Sequence, residues 1–169
     1  MPKLSQYHRL HLTYLDEILV PIARELGYSE NTEQALALIE SLFSTICRIL
    51  PFSQAIQLFT ALPLPFQALT LGRWEVDRWL PNPITSLSDL LDEVVASHPQ
   101  LYPKGETGKV LAQHTLLAIM KVVSVHTSPP ELEQIISVLP SDARERIYAS
   151  IALYHHNQIN TPTSKVSTL

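Results

Sequence analysis

Glycine is scarce in this chain: Gly27, Gly72, Gly105 and Gly108 are the only four in 169 residues. Turn-rich β folds use glycine freely, so its scarcity points to packed helices. It also excludes a glycine-rich dinucleotide fingerprint. Cysteine is scarcer still. Cys47 stands alone, so no disulfide forms within the chain, and a thiol-poor sequence without a recognisable signal peptide is expected in a reducing cytoplasm. No run of basic residues occurs. The 16 acidic residues outnumber the 12 Lys and Arg, leaving a net charge of −4 and arguing against nucleic acid as the main partner. A long uninterrupted apolar run is also missing. The most apolar stretch, Val110 to Val125, is broken by Gln113, His114 and Lys121, so no membrane insertion is expected and the stretch reads as a buried core helix.

What the chain does have is apolar residues at helical spacing, amounting to 46% of the sequence and enough for a core. Tyr7, His11, Tyr14, Ile18 and Ile22 form one stripe of a first helix from about Leu4 to Leu26. Pro21 predicts a kink there or a new helix start, and Gly27 a stop. Asn31-x-x-Gln34 has the form of a capping box opening a second helix, whose apolar positions Leu36, Ile39, Phe43, Ile46 and Leu50 step by three and four until Pro51. A third helix is expected over Ser53 to Leu62 with Ile56, Phe59 and Leu62 inward. Pro63-Leu64-Pro65 breaks the chain before a short helix, Phe66 to Leu71.

The plan then recurs. Gln57-Leu58-Phe59-Thr60-Ala61-Leu62-Pro63 matches Gln134-Ile135-Ile136-Ser137-Val138-Leu139-Pro140, and Leu15-Asp16-Glu17-Ile18-Leu19 matches Leu91-Asp92-Glu93-Val94-Val95. The two spacings agree to within a residue, which implies one helical unit of roughly 75 residues used twice. The expected fold is all-α: two pseudo-symmetric repeats of three to four helices packed into one bundle. The first repeat covers residues 1–71, a junction with Pro81-Asn82-Pro83 covers 72–85, the second repeat covers 86–156, and a polar tail rich in Ser and Thr, expected to be disordered, covers 157–169. In the second repeat, Ser86-x-x-Asp89 caps a helix to Ser97, Thr107 opens one to His126, and Ser128-Pro129-Pro130-Glu131 opens one to Leu139. Pro140-Ser141 introduces a last helix, Asp142 to His155. The two long central helices, Leu36–Leu50 and Val110–Val125, are expected to pack together. No sustained period-two alternation predicts a strand.

A helix closing on Leu62-Pro63, then Gly72-Arg73-Trp74, then an acidic-capped helix and a second Val138-Leu139-Pro140 resembles the bacterial family catalogued as domain of unknown function 2267. The resemblance covers roughly Tyr14 to Ala149. It implies an all-helical duplicated fold and no activity. Thr70-Leu71 stand where tyrosines are common in that family, so no ligand role tied to those aromatics is carried over.

Few residues suggest chemistry. The repeated Asp16-Glu17 and Asp92-Glu93 pairs would suit a metal carboxylate enzyme, but di-iron bundles add Glu-x-x-His motifs, and none occurs. His8-x-x-His11 supplies two imidazoles on one face and His155-His156 diverge, whereas zinc needs three or four convergent ligands. Gly105-Glu106-Thr107-Gly108-Lys109 lacks the first glycine and the final hydroxyl of a phosphate loop, and Thr107 as a helix cap explains it better. Cys47, beside Ile46 and Ile49, reads as a buried inert thiol. What remains is Arg73-Trp74 and Arg78-Trp79 in the junction. Arg and Trp are favoured at interaction hot spots, and indoles fill apolar seams, so these four residues are the candidate binding site. The leading functional reading is a non-catalytic interaction or oligomerisation module, binding a protein partner or itself and using no cofactor. The alternative is a carrier of a small apolar ligand in a pocket between the repeats, and the third a carboxylate metal enzyme.

Overall fold

The computed structural model describes residues 15–29, 31–71 and 84–160. Among these the protein is helical throughout, with no strand. The helices are α1 (helical over residues 15–25), α2 (Thr32–Ile49), α3 (Phe52–Ala61), α4 (Leu64–Leu71), α5 (Leu87–Ser97), α6 (Glu106–His126), α7 (Pro129–Ser137) and α8 (Ser141–Asn160). The beginning of the first helix, with Tyr7, His8, His11 and Tyr14, lies outside the described residues. So do Gly72, Pro81-Asn82-Pro83, most of the junction, and positions 161–169 of the tail.

The helix ends follow local chemistry. Gly27, at φ +79°, closes α1: its N–H bonds Arg24 O at 3.0 Å and Tyr28 N–H bonds Ala23 O at 2.9 Å, which is a Schellman motif. Asn31 Oδ1 accepts from Gln34 N at 3.3 Å, and Ser86 Oγ from Asp89 N at 3.1 Å. At α7 the box is reciprocal. Ser128 Oγ receives Glu131 N–H, while the Glu131 carboxylate accepts from Ser128 N at 2.8 Å.

Five expectations change. Pro21 starts no new helix, since α1 runs on through it; the carbonyl that its missing N–H leaves free belongs to Glu17, which faces solvent. α3 turns a different side inward. Ala55, Leu58 and Ala61 are buried with the following Leu62, while Ile56 is 37% exposed and Phe59 half-buried, because the two alanines let neighbouring helices approach closely. α4 starts at Leu64, two residues before expectation, since Pro65 falls in the first turn, where no N–H is needed, and Pro63 O accepts from Phe66 N at 2.9 Å. α6 is capped by Gly105 at φ +77° rather than by Thr107, which lies within the helix. α7 stops at Ser137 and α8 continues to Asn160, so the first residues of the expected tail are helical.

The core gathers around α2 and α6, which pack on each other as expected, with α3, α4 and α5 against α2, and α5, α7 and α8 against α6. Phe43 of α2 meets Phe66 of α4 edge-to-face, centroids 5.7 Å apart. Gly108 sets the approach of the α5–α6 loop. A Cβ there would sit 1.9 Å from Pro103 O, so only glycine allows the loop to lie on α6. Tyr102, from that loop, is buried, and its hydroxyl lies 2.8 Å from Ser41 Oγ. Ser41 donates to Leu38 O at 2.7 Å, so Tyr102 is the donor in that pair.

Candidate functional site

Arg73, Trp74, Arg78 and Trp79 lie outside the described residues. Ile84, where the described residues resume, borders a cleft of about 230 Å³. The C-terminal turn of α2 (Ile46, Ile49, Leu50), Leu90 of α5 and Val138-Leu139 after α7 form its floor and walls. Pro51, Gln54 and Pro140 complete the lining. Ile46, Leu90 and Leu139 are buried, Val138 and Ile84 half-buried, and Pro51 and Gln54 exposed, so the cleft opens from an aliphatic floor toward a rim with Gln54. Two Leu-Pro steps frame it. Leu50-Pro51 turns the chain from α2 into α3, and Leu139-Pro140 turns it into α8. The N–H groups of both leucines are already committed, to Ile46 O and Ile136 O at 3.1 Å each.

A second cleft, about 190 Å³, is polar and lies between α2 and the loop after α5. Glu40 and Ser44 of α2 face His98, Gln100 and Leu101 across it. Ser44 Oγ is 3.5 Å from His98 Nε2, a pairing that invites comparison with a nucleophile and its base. The hydrogen bonds argue otherwise. Ser44 donates its proton to Ser41 O at 3.1 Å, so it is not directed at the imidazole, and the contact is longer than a working nucleophile–base bond. Next to it, Arg48 bridges to Glu93 at 2.7 Å and to Ser97, tying α2 to α5. Burial, partly offset by the Ser41 hydrogen bond, raises the nearby Tyr102 phenol above its ordinary range, so it stays a neutral donor.

The carboxylate pairs are separately engaged. Asp16 and Glu17 are exposed on α1; Asp92 pairs with Lys109 at 3.1 Å, and Glu93 pairs with Arg48. Among the described residues no three His, Cys, Asp or Glu side chains gather closely enough to hold a metal ion. His155 lies 3.1 Å from Ser124 Oγ and His156 2.9 Å from Asn160, so the adjacent imidazoles do point apart. Lys109, which a phosphate loop would aim at its ligand, donates instead to Ser88 Oγ at 2.7 Å and to Asp92. Cys47 is buried, and burial pushes its thiol up to about 12, which keeps it protonated and unreactive.

The model of the uncharacterized conserved protein family DUF2267 matches residues 15–146. The chain belongs to the DUF2267 family. No curated protein matches it. The DUF2267 span takes in α1 to α7, the first turn of α8 and every residue of both clefts, whereas the rest of α8 lies beyond it. Sequence reasoning had singled out Val138-Leu139-Pro140 of this DUF2267 chain as half of a repeat, and Leu50-Pro51 only as a stop. Gln54, Leu90 and Ser44 carried no signal, since each owes its place to helices distant in sequence. α6 is long and apolar enough to cross a membrane by length and composition, and 50% of that window is buried within the protein.

Proposed function

We propose that this DUF2267 protein is a non-catalytic helical module that associates with a second copy of itself through α8. The observation that carries the reading is a second row on that helix, apolar at Tyr148, Ala152 and Ile159, with His155 between them turned to Ser124 of α6 and the Tyr148 hydroxyl bonded to Glu133 of α7. Ala143, Ile147 and Ile151 face the core, while Tyr148, Ala152, His155 and Ile159 recur at four-three-four spacing, the period of a helix-pairing seam. Along that stripe Tyr148 is 41% and Ile159 82% exposed. Beyond Ile151 the residues of α8 are exposed except for the half-buried Tyr154, so this end would gain packing from a neighbouring helix. Sedimentation equilibrium of the protein and of Ile159→Glu tests this. A dimer that the substitution converts to a monomer supports self-association. A wild-type monomer refutes it, and a dimer indifferent to Ile159→Glu places the interface elsewhere.

The architecture that goes with this reading is the duplicated unit, with halves at 1–71 and 86–156 about the junction. Matched helices lie together: α2 on α6, and α3 on α7, where Gln57 Nε2 donates to Ser137 Oγ at 3.3 Å. Ion pairs also cross between the halves, Arg48–Glu93 from α2 to α5 and Lys121–Glu25 from α6 to α1, each 2.7 Å, although they do not fall at equivalent positions of the repeat.

A second reading, carriage of a small apolar ligand, is favoured by the aliphatic cleft between the halves. Native mass spectrometry of the protein as purified from its host separates the two: a retained small molecule supports carriage, and a bare monomer or dimer opposes it.

A further inference from the structure

We infer that the cleft framed by Leu50-Pro51 and Leu139-Pro140 binds a medium-length acyl chain, with its carbonyl group toward Gln54. The inference rests on the carrier reading above and specifies its ligand. Size sets the length. An apolar cavity of about 150 Å³ holds benzene, so one of about 230 Å³ holds roughly eight to ten non-hydrogen atoms. Shape and chemistry set the body of the ligand. The side chains of Ile46, Ile49, Leu50, Leu90, Val138 and Leu139 are all aliphatic, with no aromatic ring for stacking among the described residues of the lining.

Charge sets the head. Among the described residues of that lining no side chain is charged, so none of them offers a counter-ion to a cationic or an anionic group. Pro51 and Pro140 have no N–H, and those of Leu50 and Leu139 are taken within the chain. Gln54 is the one hydrogen-bonding side chain among the described residues of the lining, and it lies at the exposed rim. Its amide donates to a carbonyl oxygen at the mouth while the aliphatic tail fills the floor. An ammonium head would bring donors and a desolvation penalty to a rim whose described residues include no acid to receive it.

The test uses the full chain with 13C-labelled isoleucine methyls, titrated with octanamide and, separately, with octylamine. Octanamide should shift the Ile46, Ile49 and Ile84 methyls saturably, and octylamine should bind about tenfold more weakly or worse. Val138→Phe narrows the cleft from its half-buried wall and should weaken octanamide by about tenfold or more. Gln54→Leu, at an exposed position where folding is not at risk, should close the gap between the two probes. Methyls that stay unmoved at millimolar octanamide overturn the inference, and an empty protein in the native mass spectrum would then remove the carrier reading too. Equal binding of both probes to the unsubstituted protein overturns the assigned head while leaving carriage standing. Full octanamide affinity in a folded Val138→Phe overturns the location.

Discussion

α2 and α8 are of similar length, 18 and 20 residues, and they solve opposite problems. α2 is enclosed by α3, α4, α5 and α6, and buries residues on nearly every side, Ser41 and Thr45 included. It does so by returning those hydroxyls to its own backbone: Ser41 donates to Leu38 O at 2.7 Å and Thr45 to Ser41 O at 2.8 Å. α8 buries only Ala143, Ile147 and Ile151, and its far end runs past the core. A helix therefore buries residues on most of its sides where it is enclosed and only a narrow row where it lies at the edge, and a further exposed row on an edge helix calls for an explanation.

Substitutions can break or sharpen this contrast. Phe43→Ala should have the largest effect, a loss of about 3–5 kcal/mol in urea unfolding, because the ring is wholly buried against Phe66 and a cavity would remain. Gly108→Ala should cost about 1–3 kcal/mol or more, since Pro103 must retreat from the new methyl. A Tm unchanged in that variant would mean that the α5–α6 loop does not lie on α6. Tyr102→Phe should cost about 1 kcal/mol, the net worth of its bond to Ser41, again by urea titration.

At the periphery the effects should be smaller and set by pH. The Ser128 backbone N–H and hydroxyl hold the Glu131 carboxyl below its ordinary range. A depressed folded value means that the contribution is complete above the unfolded value near 4.5 and is lost as pH falls through the folded one. The urea midpoints of the protein and Glu131→Gln should therefore differ at neutral pH and converge in acid. A difference that widens on acidification would reverse this sign. Leu153→Ser should be the least consequential, within about 0.5 kcal/mol, because that side chain is 62% exposed and lies off the Tyr148–Ile159 stripe. It should also leave the sedimentation result unchanged.

Helix starts were the most legible feature. Asn31, Ser86 and Ser128 cap as expected because a cap is a bond between residues three apart, written wholly in the local sequence. The inward side of α3 was not legible. Ile56 and Phe59 are the larger apolar residues, yet Ala55, Leu58 and Ala61 face the core, since close approach of neighbours rewards small side chains. The candidate site was legible only in part. Leu139-Pro140 drew notice as half of a repeated motif, but Leu90 and Gln54 become neighbours of it only through packing.

The sequence by itself determined an all-helical chain, the capped starts of α2, α5 and α7, a buried thiol at Cys47 and membership of a family whose match runs from residue 15 to 146. Each depends on the order and spacing of nearby residues, or on the pattern of the whole. Tertiary structure alone decided that Gly108 must be glycine, that Tyr102 reaches Ser41 across 61 positions, and that two Leu-Pro steps enclose an aliphatic cleft. Those outcomes depend on distances between segments remote along the chain, which helical periodicity leaves free and only the packing of α2, α5, α6 and α7 fixes.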